Sequence, residues 1–561
     1  MNKIICFLAL LMILVSACKK KESGGGSSII TPTKGTASVL TQHNDNTRAG
    51  LNSNETVLTT SNVNTTSFGK QFTLSVDDQI YAQPLVVANL SISSGTHNVV
   101  FIATVNNTIY AFDGDNGKLY WTKNFTVAGL RPPNAGDMSS SWCTPYTDIA
   151  YNIGIIGTPV IDSVKQLMFF VSRSTNGVAF HQYLHSVSLL NGADQPGSPI
   201  EIAAKIAGTG DGSVNDSVSF DPFRNNQRQG LTLVNGVVYV TWSSHCDMNP
   251  YHGWIIGYDE QTLTQETVYN DTPTGENGGI WESGMGMAAD AQGNLYITTG
   301  NGTVGEGGLY TETGNGTGES VANPEPTNLT NRGESALKLT PSGSTLSISS
   351  YFTPTNYVNL NVNDLDYGVM GTFLIPNSQY YFTGCKDGNL YLLNTGNMGG
   401  YSSSSNQVQQ TVAVSSNLHC QPAYYNGTSN EYVYVWGEND VLRALTFNRT
   451  TNTFNSTQTT SGLSGPTGGC GAEISVSSNG NNDSTGIVWI TYAYSGDAGN
   501  TTSPGILRAL PANNITKELW DSNIAGGDAV GNFSKFCSPT IANGHVYLAT
   551  FSMQVDVYGL K

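Results

Sequence analysis

The sequence predicts an all-β protein, an eight-bladed β-propeller of four-stranded antiparallel blades whose ring is closed by an N-terminal strand. Three observations predict it. From about residue 70 onward, short runs of β-branched and aromatic residues alternate with Gly, Asn and Asp turns, and long amphipathic stretches of helical period are hard to find. Similar unit openings recur eight times, at Gln83, Thr158, Gly230, Met285, Met370, Gln421, Ala472 and Ser538, spaced by 51 to 85 residues. The last unit, ending in Val555 to Leu560, is one strand short, whereas Phe68 to Leu74 stands alone before the first opening.

The clearest unit shows the four strands in order. Gln83 to Val87 is followed by Asn98 to Thr104, an Asn106-Asn107 turn, Thr108 to Asp113, and Gly117 to Trp121. One such meander cannot bury both of its faces, so successive units stack around a ring. A strand from the N-terminus completing the C-terminal blade removes the open sheet edge that a large β protein otherwise has to blunt. The unequal spacings read as a compact unit of about 50 residues carrying loop insertions.

Composition agrees with this class. Of 561 residues only 24 are Lys or Arg and 41 are Asp or Glu, so 12% are charged, about half the usual share. The net charge of −17 argues against a nucleic-acid partner, which needs clustered cations. Polarity comes instead from Asn, Thr, Ser and Gly, which favour turns over helices.

The N-terminus reads as an address. Met1-Asn2-Lys3 precedes an apolar run, Ile4 to Leu14, too short for an ordinary membrane span. Val15-Ser16-Ala17-Cys18 resembles the bacterial lipobox, which implies a signal peptide over 1–17 and lipidation of Cys18. Residues 18–39, with Lys19-Lys20-Lys21-Glu22 and a Gly/Ser run, read as a flexible tether, and 40–561 as the propeller. The expectation is an exported bacterial lipoprotein of the outer membrane, on its periplasmic or surface side, touching the membrane only through its lipid.

Six cysteines remain in the body: Cys143, Cys246, Cys385, Cys420, Cys470 and Cys537. In an exported protein an even number suggests disulfides, and the pairing stays open among 15 possibilities. There is no C-x-x-C, so covalent haem and zinc-ribbon sites are not expected.

The propeller frame places the turns leading into each first strand, and those between second and third strands, on one face around the channel mouth. All six cysteines fall on that face. So do Asp221, Arg224, Gln227 and Arg228, then Trp281 and Glu282, Asp364 and Asp366, and Lys535. In a chain this poor in charge, such convergence points to a polar ligand, although mutual Arg and Asp pairing would explain it nearly as well. The segment from Ser244 to Trp254 carries His245, Asp247 and His252, side chains that a transition metal accepts; the alternative is that they hydrogen-bond a long loop. His419 lies on the same face and reads as structural.

Ala111-x-Asp113-x-x-x-Gly117-x-x-x-Trp121 resembles the docking motif of the quinoprotein (PQQ-like) propellers, in which the Trp packs between blades. Asn44 to Arg48, followed by Leu58-Thr59 and Asn62-Val63, is similar to the opening of those proteins. The resemblance spans roughly residues 40–561. It implies pyrroloquinoline quinone over the channel with a divalent cation, calcium, as Lewis acid and an Asp as base. Glu282, Asp364 and Asp366 would then take the carboxylate roles, and Arg224, Gln227, Arg228 and Lys535 would meet the cofactor, with Trp281 stacking on it. The adjacent cysteine pair of many alcohol-oxidising members is absent. Two functions follow as expectations: an oxidoreductase acting on a small polar molecule such as a sugar or alcohol, or a non-catalytic scaffold with an envelope protein as partner, resembling the propeller lipoprotein of outer-membrane protein assembly.

Overall fold

The computed structural model describes residues 36–561 apart from 140–142, 307–324, 415–416, 456, 464, 467 and 525. The expected signal peptide, Cys18 and the expected tether up to residue 35 lie outside the described residues.

Eight four-stranded antiparallel sheets follow one another along the chain, each a meander of neighbouring strands. Their first strands begin at Leu85, Val160, Thr232, Ala288, Phe373, Ala423, Glu473 and Thr540, inside or directly after the eight openings read from the sequence. The second strands are apolar on both faces because neighbouring blades cover both. Ile487–Ala493 is buried at every position, and Leu167–Thr175 at all but its first. The outermost strand Leu119–Asn124 has no buried position. Apolar clusters form between successive blades, such as the one joining Ile474 and Val476 to Tyr434 and Ala444.

Closure is as expected. Phe68–Ser75 pairs antiparallel with Gln554–Leu560, from Phe68 opposite Leu560 to Ser75 opposite Gln554, with a register shift between Lys70 and Phe72. The docking residue also behaves as its motif implies. Trp121 Nε1 donates to the Leu189 carbonyl of the next blade at 2.9 Å, and a Cβ on Gly192 would lie 2.8 Å from the indole. That glycine, at φ +66°, is needed both for its turn and for the close approach.

One feature of the channel is not anticipated by the strand pattern. The segment from Val39 to Asn52 runs along the inner edges of all eight blades. Val39 exchanges backbone hydrogen bonds with Val86, Leu40 accepts from Ile161, and Asn46 and Thr47 accept from Ala289 and Leu374. Ala49 and Gly50 accept from Tyr424 and Val476, and the Asn52 amide donates to Ile541. Arg48, fully buried, supplies the third blade by donating to Leu231 and Thr232. These contacts all fall further along the first strands than the loops described next, so the segment fills the channel beneath them.

Candidate functional site

Loops entering the first strands, together with turns between second and third strands, enclose a cavity of about 500 Å³ at the channel mouth. Every blade contributes, from Tyr81 before the first to Lys535 and Phe536 before the eighth. Gln421 closes its floor by donating to the carbonyls of Ser283 and Phe536 at 2.7 and 3.0 Å.

Three groups of side chains give the cavity its chemistry. In the first, the Arg228 guanidinium lies 4.4 Å from the Phe536 ring centre and 5.2 Å from that of Trp281, and its Nε donates to the Trp281 carbonyl at 3.3 Å. Lys535 donates to the Gly499 carbonyl at 2.6 Å. Among the described residues neither cation has a carboxylate partner, and burial lowers both pKa values.

In the second, Lys386 Nζ lies 2.6 Å from Asp366 and 3.2 Å from Asp364. Asn301 donates its backbone amide to Asp366 at 2.9 Å and its side-chain amide to Asp364 at 2.8 Å. Burial opposes the charge on Asp366, but the ammonium and these hydrogen bonds outweigh it and hold the carboxyl low. Burial, then the charge of Asp366, pushes Asp364 up to about 6.

In the third, His419 Nδ1 lies 2.7 Å from Glu438 Oε1. The same oxygen accepts the Cys470 amide at 3.0 Å, while Asn417 donates to Oε2 at 2.5 Å. Burial lowers the pKa of the imidazole despite the carboxylate, so the ring is neutral near pH 7.

Of the residues expected from the sequence, Arg228, Trp281, Asp364, Asp366, Lys535 and Asp247 line this cavity. The others turn elsewhere. Arg224 pairs with Asp221 and donates to the Asn249 carbonyl, and the Gln227 amide folds back on the Gln229 carbonyl. Glu282 is fully buried behind the wall, accepting from the Thr298 amide at 3.0 Å, and burial pushes its carboxyl up to about 8.

His245 is held at Nδ1 by the Tyr146 hydroxyl at 2.7 Å and at Nε2 by Arg173. His252 is engaged by Thr272 and by the Asp211 carbonyl. With these rings committed, no group of three or more His, Cys, Asp or Glu side chains is arranged to hold a metal among the described residues. Sequence reasoning missed Lys386 and Glu438 and set His419 aside, although both missed residues occupy the turns after second strands that the propeller frame assigns to this face.

The cysteines need a correction. Among the described residues Cys143 and Cys246 form the one disulfide, tying the loop before the second blade to a turn of the third. Cys385, Cys420, Cys470 and Cys537 are buried free thiols. They belong to four different apolar clusters around the ring, and burial raises their pKa values, that of Cys470 to about 12.

No family model and no curated protein sequence matches this chain. Among solved structures, the quinohemoprotein alcohol dehydrogenase of Comamonas testosteroni aligns with a TM-score of 0.56 at 11% identity, over 91% of this chain and 76% of that one. The quinohemoprotein alcohol dehydrogenase of Pseudomonas putida HK5 aligns at 0.54 and 12% identity, over 96% and 82%. The fold is that of the quinoprotein propellers.

The cofactor pair implied by the quinoprotein fold can be tested against the residues present. An anionic quinone would find Arg228 and Lys535. Its stacking partner is not open, because the Arg228 guanidinium lies over the Trp281 ring, whose pyrrole edge rests against Gly279 and Gly300. Calcium wants six to eight oxygen ligands, but of the carboxylates lining the mouth Asp364 and Asp366 are committed to Lys386 and Asn301 and Glu438 to His419, Asn417 and Cys470, and among the described residues no three are grouped to hold a metal. On this quinoprotein-type propeller the charges suit an anion, but the donor set does not suit a quinone with calcium.

Proposed function

We propose that this chain is an exported, lipid-anchored propeller protein of the cell envelope whose channel-mouth cavity binds a small, polar, negatively charged molecule. The observation that carries the reading is the pair Arg228 and Lys535, two partly or fully buried cations without carboxylate partners lining a closed-bottomed cavity of about 500 Å³. Burying a charge costs several kcal/mol unless something pairs with it, and a cavity of this size is typical for a small-molecule ligand. No helix among the described residues is long and apolar enough to cross a membrane.

The finer reading, a pyrroloquinoline-quinone-dependent oxidoreductase acting on sugars or alcohols, draws on the fold and the two cations, while the covered Trp281 ring and the Lys386-bound carboxylates weigh against it. Both readings meet in one experiment. The purified mature chain is heated with a panel of sugars, alcohols and organic acids, and separately with pyrroloquinoline quinone with and without calcium. A Tm rise that saturates with ligand, and that Val369→Trp abolishes by filling the cavity, supports a binding function. If the quinone alone gives that rise, the oxidoreductase reading follows. No response to any compound would move the protein to the scaffold reading, with an envelope protein as its partner.

A further inference from the structure

The cavity asks for more than a simple anion, because acceptors share it with the cations. The Glu438 carboxylate accepts hydrogen bonds from Asn417, Cys470 and His419, which fixes the imidazole N–H on Nδ1. In that neutral tautomer Nε2 is an acceptor. The ring lines the cavity, and no described residue donates to Nε2. Asp364 is a second acceptor, with 41% of its side chain exposed. Lone pairs at His419 and Asp364 repel an anion that brings no hydrogen-bond donor, such as acetate. A ligand that satisfies them has to bring hydroxyl hydrogens as well as a negative charge. On the donor side, the terminal amines of Arg228 hold no protein acceptor among the described residues, and a planar guanidinium is matched by a carboxylate in a two-point contact.

We propose that the cavity is built for a polyhydroxylated carboxylic acid, with Arg228 taking the carboxylate and His419 Nε2 accepting a hydroxyl hydrogen. The inference rests on the binding reading above and deepens it by naming the ligand class. Glu438 and Asn417 act as positioning residues for the imidazole. The Asp364 carboxylate takes a second hydroxyl, while Lys386 keeps that carboxylate in place.

Three probes of similar size separate the requirements. D-glucuronate carries both charge and hydroxyls, D-glucose only hydroxyls, and cyclohexanecarboxylate only charge. Calorimetric titration of the mature chain at neutral pH is expected to give saturable binding of glucuronate, with each of the other two weaker by about tenfold or more. Arg228→Gln should lower glucuronate affinity by about tenfold while leaving glucose nearly unchanged, and His419→Phe should weaken both hydroxylated probes but not cyclohexanecarboxylate.

Equal binding of glucuronate and glucose, or no saturable binding of glucuronate, overturns the proposal, and neither result depends on a variant folding. If another panel compound still binds in a way that Val369→Trp abolishes, only the ligand class has failed. If nothing binds, the binding reading has failed with it.

Discussion

The ammonium of Lys386 stands 2.6 Å from Asp366 and 3.2 Å from Asp364, so one largely buried cation bridges two acids of the cavity wall. Two carboxylates this near each other, with the amine removed, would hold at most one charge comfortably. Lys386→Met is expected to destabilise the protein by about 3–5 kcal/mol, the usual cost of breaking a buried pair. The same geometry predicts that millimolar calcium leaves the Tm of the native chain unchanged. Lys386→Gln, which frees both acids, should make the Tm rise with calcium. A calcium-dependent rise in the native chain would show that the carboxylates can leave Lys386 for a metal.

Arg48 tests the channel segment independently of the site. Its guanidinium donates to the Met287, Gln42 and Leu231 carbonyls and to the hydroxyls of Thr41 and Thr232, all between 2.6 and 3.2 Å. Burial lowers its pKa to about 10, which still leaves it charged at neutral pH. Arg48→Met removes the donors and strands these acceptors beneath the cavity, at about 1–3 kcal/mol for each group left unsatisfied in a dry site. A fall of several kcal/mol in urea unfolding is expected, with ligand affinity changed far less than stability. A variant as stable as the native chain would mean that the segment is not needed to hold the ring together.

The fold was legible because a propeller repeats its signal. Eight openings and an orphan strand at Phe68 report the same architecture independently, so irregular spacing between copies does little harm. The site was legible only down to its loops. Trp281 and Glu282 are neighbours in sequence, yet Glu282 takes a left-handed backbone conformation, φ 46°, and turns into the wall while Trp281 faces the cavity. Nothing in the order of the two residues says which one does so. Arg224 and Arg228 divide in the same way, the first spent on Asp221 and the second left to the cavity. Lys386 and Glu438 sit in plain Gly-rich turns, where only the propeller register marks them. The even cysteine count pointed to pairing, which holds for Cys143 and Cys246, while Cys420 and Cys537 are buried as free thiols in different inter-blade cores.

Two glutamates make the stability of the ring depend on pH in a direction that can be worked out. Glu282 and Glu473 are fully buried, and each has one oxygen without a hydrogen-bond partner, Oε2 in both cases. Their other oxygens accept the Thr298 and Phe536 amides at 3.0 and 2.9 Å, but burial dominates and pushes both carboxyls up to about 8. In the unfolded chain they titrate near 4.5. A folded pKa above the unfolded one gives stability that is fully present below about pH 4.5 and lost as pH rises through about 8, at no more than about 1.4 kcal/mol per pH unit for each group. Buried histidines such as His43, His252 and His419, whose pKa values burial lowers, act in the opposite sense and cost stability as pH falls below 6.5. Replacing the two acids isolates their share. The double variant Glu282→Gln, Glu473→Gln keeps the shape and removes the ionisation, so its stability relative to the native chain should climb steadily from pH 5 to pH 8.5 in urea unfolding. Parallel curves for the two proteins across that range would mean that both carboxylates ionise in the folded state as readily as in water.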